Sequence, residues 1–194
     1  SSAWTGGFVK LQGVVFDGGH GSNPSPGGLQ LIGTRPTPGW AKDGKFEDPR
    51  AIPHGPLPRD HAKYRGLYRH EGGIVFEYTV GETTIFEMAD TKNLPEGAVF
   101  RRTIEMGPSK TALDMVICDV EQSTGRVNGD TIAALEKQGQ VTLANLYGAP
   151  AGAKLETLTS GRIVLHLPAS PNGAKFRIDL WNGPAASEKA VLQA

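Results

Sequence analysis

Between residues 18 and 58 the chain carries eight of its fourteen prolines, and this segment limits the fold more than any other. Each proline fixes φ and removes a backbone donor, so a central strand is excluded across most of it. Asp17-Gly18-Gly19-His20-Gly21 opens the segment as a sharp turn, because glycine reaches positive φ at no steric cost. Gly28-Leu29-Gln30-Leu31-Ile32-Gly33 has the pattern of a short strand. The expectation is a long Gly/Pro-rich irregular arm, 18–58, held by its own domain, by a ligand or by another chain. Trp40, Phe46, Ile52, Pro53 and Leu57 are its apolar anchors and the residues expected at an interface.

The rest of the chain reads as a ladder of short strands. Residues 8–16 form a strand before the arm. Ile74, Phe76, Tyr78 and Val80 share one strand face, and Val75, Glu77 and Thr79 the other. Gly81-Glu82 turns the chain back into Thr83–Met88, a hairpin signal. Phe100, Ile104 and Met106 recur every second residue, with Arg102 the exception. Leu113, Met115 and Ile117 alternate with Val116, Cys118 and Val120, as in a central strand covered on both faces. Further strands are expected at 141–146, 161–167 and 175–181, with Asn172-Gly173 as a hairpin turn between the last two. One short helix is expected near 130–139: Asp130 as N-cap, Ile132 and Leu135 on one face, Gly139 after the C-cap. The fold class is therefore mainly β, an antiparallel β-sandwich with one short helix and the long arm. It forms one domain, 1–194, with an Ala-rich C-terminal tail, 184–194, leading to a linker or an edge.

Charge narrows the function. Twenty Lys/Arg and twenty Asp/Glu cancel, which removes the electrostatic case for nucleic acid or an anionic membrane. No stretch approaches the roughly 18 apolar residues that span a bilayer. The chain begins at Ser1 with no Met and no signal-peptide core, so a processed product or a piece of a longer polypeptide is expected. Cys118 is the single cysteine. It excludes an internal disulfide and a CxxCH haem-attachment motif, and its apolar run reads as a buried, unreactive thiol.

Candidate sites lie around the end of the arm. The segment from Pro58 to His70 is the densest polar and aromatic stretch. Arg59, Tyr64, Tyr68, Arg69 and His70 are the residues expected to bind a ligand, with rings for an apolar sugar face and charged forks for hydroxyls or carboxylates. A solvated edge strand with incidental ion pairs is the competing reading. His54, His61 and His70 are the candidate metal or haem ligands, although no histidine pair has zinc-helix spacing. His20 and His166 read as structural, His166 facing away from the core. Asp17, Asn128 and Asp130 read as turn and cap residues rather than a calcium loop. No G-x-S-x-G elbow is formed, and Glu77, Glu82 and Glu87 read as outward or turn residues, so no catalytic residue is nominated.

Three phrases carry a family resemblance: the run from Ala3 to Gly21; Pro38-Gly39-Trp40-Ala41 with Asp48-Pro49-Arg50; and Gly55-Pro56-Leu57-Pro58-Arg59 through Tyr68-Arg69-His70. Over residues 3–120 the chain resembles an uncharacterised domain of large secreted or periplasmic proteins of planctomycete-type bacteria. That domain accompanies c-type cytochrome and quinoprotein-like dehydrogenase domains. The resemblance implies a periplasmic or secreted setting, other protein chains or domains of a larger assembly as partners, and haem in a partner with no cofactor in this chain. Three readings follow. The first is a non-catalytic module that docks through its arm on a redox assembly. The second is a carbohydrate-binding or carbohydrate-active domain. The third is a His-ligated metal or haem protein.

Overall fold

The computed structural model describes residues 2–4, 9–10, 25–28, 30–52, 55–71 and 73–194, with side chains from residue 27 onward. The described strands are β1 (Ser2–Trp4), β2 (Val9–Lys10), β3 (Ser25–Pro26), β4 (Gln30–Gly33), β5 (Ala62–His70), β6 (Gly73–Val80), β7 (Thr83–Leu94) and β8 (Gly97–Met106). They continue with β9 (Leu113–Asp119), β10 (Thr124–Asn128), β11 (Ile132–Lys137), β12 (Gln140–Tyr147), β13 (Lys154–Leu158), β14 (Arg162–Leu167) and β15 (Ala174–Pro184). A short 3₁₀ turn leads into α1 (Glu188–Gln193).

The chain is a mainly antiparallel β-sandwich. An eight-stranded sheet runs in the order β10-β11-β12-β15-β8-β7-β6-β5, and a three-stranded sheet, β13-β14-β9, packs over it. Ile104, Phe176, Ile178 and Leu146 of the large sheet meet Met115, Cys118, Ile163 and Leu165 of the small one in the main core. Alternation along each strand produces this core, since one face of every strand turns inward. The hairpin expected at Gly81-Glu82 is present, joining β6 to β7.

Four expectations are corrected. Residues 132–137 are strand β11, not a helix, and they pair with both β10 and β12. Ile132 and Leu135 mimic helical spacing because both faces of the large sheet are covered here. Ala133 and Leu135 join the main core while Ala134 joins a second one, so apolar residues do not alternate with polar ones. Gln138 and Gly139, at φ 52 and 75, form a two-residue hairpin turn of the kind that needs positive φ at both positions. The short helix lies instead in the C-terminal tail. Val191 and Leu192 pack on the second core, formed by Val99, Ala134, Val141, Leu143 and Trp181.

The Asn172-Gly173 turn does form, closed by a bond from Gly173 N to Ser170 O at 3.0 Å. It does not join paired strands: β14 pairs with β13 and β9, β15 with β12 and β8. The turn carries the chain from one layer to the other, and turn chemistry alone does not choose a strand's partner. Finally, β9 lies at the end of the small sheet rather than its middle. It is buried nonetheless because the arm completes the sheet. Val116 N bonds Gly39 O at 2.8 Å and Ala41 N bonds Asp114 O at 2.9 Å. A bulge opposite Ile163/Val164 keeps Met115 and Cys118 on the same inward face.

Candidate functional site

Among the described residues, three strands against eight leave part of the large sheet's inner face without a second layer. Over β5 to β8 this face forms a cleft of about 1020 Å³, floored by Phe76, Tyr78, Ala89 and Phe100 and flanked by Pro56 and Leu57 of the arm. Its size suits a drug-sized molecule or a short peptide segment. At its outer end Leu67 is 53% exposed and Phe76 43%, with Tyr64 and Ile74 also open to solvent. These four are cross-strand neighbours on the same face: Tyr64 opposite Tyr78, Leu67 opposite Phe76, Arg69 opposite Ile74.

Arg102, the exception in the β8 alternation, does face inward. Only 9% exposed, it donates from Nε to Glu87 Oε1 at 2.6 Å, and Tyr78 Oη donates to Glu87 Oε2 at 2.8 Å. Glu87 is therefore not an outward residue. Burial raises its carboxyl, but Arg102 and Tyr78 more than offset this and hold it below the ordinary carboxylate value. Burial, with Glu87 beside it, pushes the Tyr78 phenol well above its ordinary range. Among the described residues the site places no nucleophile beside a base. Its charged floor is the Arg102–Glu87 ion pair, in which Arg102 Nη1 is buried with no hydrogen-bond partner among the described residues.

The arm reaches this floor. Trp40 is 7% exposed and belongs to the main core, and its carbonyl lies 2.9 Å from His61 Nε2. Phe46 lies under the Arg162 guanidinium, 5.3 Å from the ring centroid. Asp48 and Arg50 pair side chain to side chain at 2.6 Å, and Arg50 brings the Asp48 carboxyl down to about 2. Leu57 is half-buried at the cleft wall, whereas Ile52 is 66% exposed. Pro53 and His54 lie outside the described residues, as do Asp17 and His20.

The remaining candidates divide. A bulge in β5 between Tyr64 and Gly66 reverses the register. Tyr64 and Arg69 face the cleft side, while Tyr68 and His70 point to the opposite face. There Tyr68 Oη donates to Glu77 Oε2 at 2.5 Å. The expected Tyr64, Tyr68, Arg69 and His70 surface is thus split between two faces, and no sequence signal marks the bulge. Arg59 lines the cleft. His61 is buried at the base of β5, and His70 stands at its far end, roughly 30 Å away by strand rise. These two do not converge. His166, in place of a free outward position, sits between Asp114 at 2.7 Å and Glu156 at 2.9 Å. Among the described residues no group of three or more His, Cys, Asp or Glu side chains is placed to hold a metal.

Residues 1–87 match a family described as "Domain of unknown function (DUF6797)". The match ends inside β7, so the sandwich continues well past the matched segment. No curated protein matches the chain in sequence.

Proposed function

We propose that the chain is a non-catalytic, extracytoplasmic docking module, and that a segment of a larger assembly occupies the cleft beside the arm. The observation that supports this is the open half of the large sheet, where Leu67, Phe76, Tyr64 and Ile74 stand together in solvent. Contiguous exposed apolar surface of this kind marks interaction sites. The arm contributes Leu57 to the cleft and exposed Ile52 nearby in sequence, whereas Trp40 serves the domain's own core. The resemblance of residues 3–120 suggests a redox assembly with haem in the partner.

The test is co-purification of the native assembly with wild-type chain and with a Leu67→Asp, Phe76→Asp double variant. Loss of the partner chains at an unchanged melting temperature supports docking through this face. Full retention rejects it. One observation favours a second reading, carbohydrate binding: the exposed Tyr64 and Phe76 lie on the wall that Arg59 also lines. Calorimetry across a glycan panel tests that reading, and silence across the panel removes it.

A further inference from the structure

Three Asn-Gly pairs stand in the sequence: Asn128-Gly129, Asn172-Gly173 and Asn182-Gly183. In such a pair the glycine backbone nitrogen can attack the asparagine side-chain carbonyl, because no side chain on the glycine obstructs the approach. The fold treats the three differently. Gly183 is buried in β15 opposite Val141, and the Asn182 amide donates to Val141 O at 3.4 Å and to Thr142 Oγ1 at 2.9 Å. Gly173 N donates to Ser170 O at 3.0 Å, and Met106 O lies 2.4 Å from the place a β-carbon would take on Gly173. Asn128 and Gly129 lie at the β10–β11 turn, both exposed, with Gly129 at φ +60 and open space around it. Among the described residues neither Gly129 N nor the Asn128 side chain makes a hydrogen bond.

We infer that Asn128 is a site of spontaneous covalent modification, and that the change loosens a corner where the two sheets meet. Gly129 N, having lost its proton to solvent base, bonds to Asn128 Cγ. The Cγ–Nδ2 bond breaks, ammonia leaves, and a cyclic imide closes. Water then adds to one of the two imide carbonyls and reopens the ring. Breaking the bond from nitrogen to Cγ gives Asp with the main chain unchanged. Breaking the bond from nitrogen to the main-chain carbonyl carbon gives isoAsp, whose backbone runs through the former side chain and is longer by one methylene. No oxidant or reductant is needed. The turn that receives this change ties the layers together: Asp130 O accepts from Leu155 N of β13 at 2.8 Å, and Thr131 O accepts from Leu146 N of β12 at 2.8 Å. Loop length fixes the register of a hairpin. A lengthened loop, with a new carboxylate two residues before Asp130, pulls the Asp130 carbonyl off β13.

The test holds the intact folded chain in mildly alkaline buffer made with heavy-oxygen water, then maps its peptides by mass spectrometry with fragmentation that separates Asp from isoAsp. Asn128 is expected to lose ammonia and take up solvent oxygen about tenfold faster than Asn172 or Asn182, which react only when the fold opens around them. The rate should rise with pH, because the attacking nitrogen must shed its proton. In urea all three pairs should convert at similar rates. Asn128→Gln should abolish conversion at the turn of the folded chain. Hydrogen exchange on the converted chain should show the Leu155 amide losing protection, while the amide of Ile104 in the main core keeps it. Conversion of Asn172 or Asn182 as fast as Asn128, or an unchanged Asn128 in folded protein when the urea sample converts, overturns the site. An equally protected Leu155 amide in the isoAsp-containing chain overturns the loosening.

Discussion

Trp40 Nε1 donates a hydrogen bond to Tyr78 Oη at 3.3 Å, and Tyr78 Oη donates in turn to Glu87 Oε2 at 2.8 Å. With the Arg102–Glu87 pair behind it, this sequence of bonds runs from the arm to the floor of the cleft. Each member satisfies a polar group that would otherwise be buried unmet, and in a low-dielectric setting such networks stand or fall together.

Trp40→Ala is expected to cost about 3–5 kcal/mol of folding stability, as for other large aromatics lost from a core. Urea denaturation measures it. A loss below about 1 kcal/mol would mean that the arm does not share the core of the ladder.

Glu87→Gln leaves the Arg102 charge buried without its partner and is expected to destabilise by about 3–5 kcal/mol. The pH dependence has a definite sign. Because the folded carboxyl titrates below its ordinary value, its stabilising contribution is complete above the ordinary carboxylate range. It is lost as pH falls through the folded value. Wild-type stability should therefore decline more steeply on acidification than that of Glu87→Gln. Parallel curves from denaturant melts at stepped pH would show that the pair carries no linkage.

Cys118 is fully buried, and burial, with Asp119 adding to it, pushes its thiol up to about 12. A disulfide reagent should label it only at the rate of unfolding, so labelling should accelerate with denaturant. Rapid stoichiometric labelling of native protein would contradict its place between the sheets.

Gly161 has φ +74, and a β-carbon there would meet Val120 O at 2.1 Å. Gly81 has φ +55 with open space around it. Gly161→Ala is expected to cost about 2 kcal/mol or more, Gly81→Ala only about 1. Equal losses would show that backbone conformation alone matters at both turns.

The β-class was legible because a period-two pattern such as that at Ile74–Val80 is strong wherever one face of a strand meets solvent. It failed at Ile132–Lys137 for a physical reason: a strand covered on both faces loses that alternation. The 18–58 arm was marked by its glycine-rich opening and its prolines, but its role was not. Nothing local to Trp40 says that Tyr78 and Met115 will enclose it, because those contacts are fixed only when distant strands assemble. The cleft was half visible. Arg59 and Tyr64 were in view, while the β5 bulge, which turns Tyr68 away, depends on pairing rather than composition. Glu87 and Arg102 each looked incidental alone and have meaning only as a cross-strand pair.

The bonds from Gly39 and Ala41 to β9 carry a consequence for how this chain survives its own synthesis. Without them β9 would offer bare backbone along the apolar run Met115-Val116-Ile117-Cys118, the composition that templates stacking between molecules. The arm thus works as a built-in guard against self-association. It is made first and waits for the strand it must cover. A truncation that removes residues up to 58 would not simply delete a docking device; it would yield a protein prone to aggregate while still able to form most of its ladder.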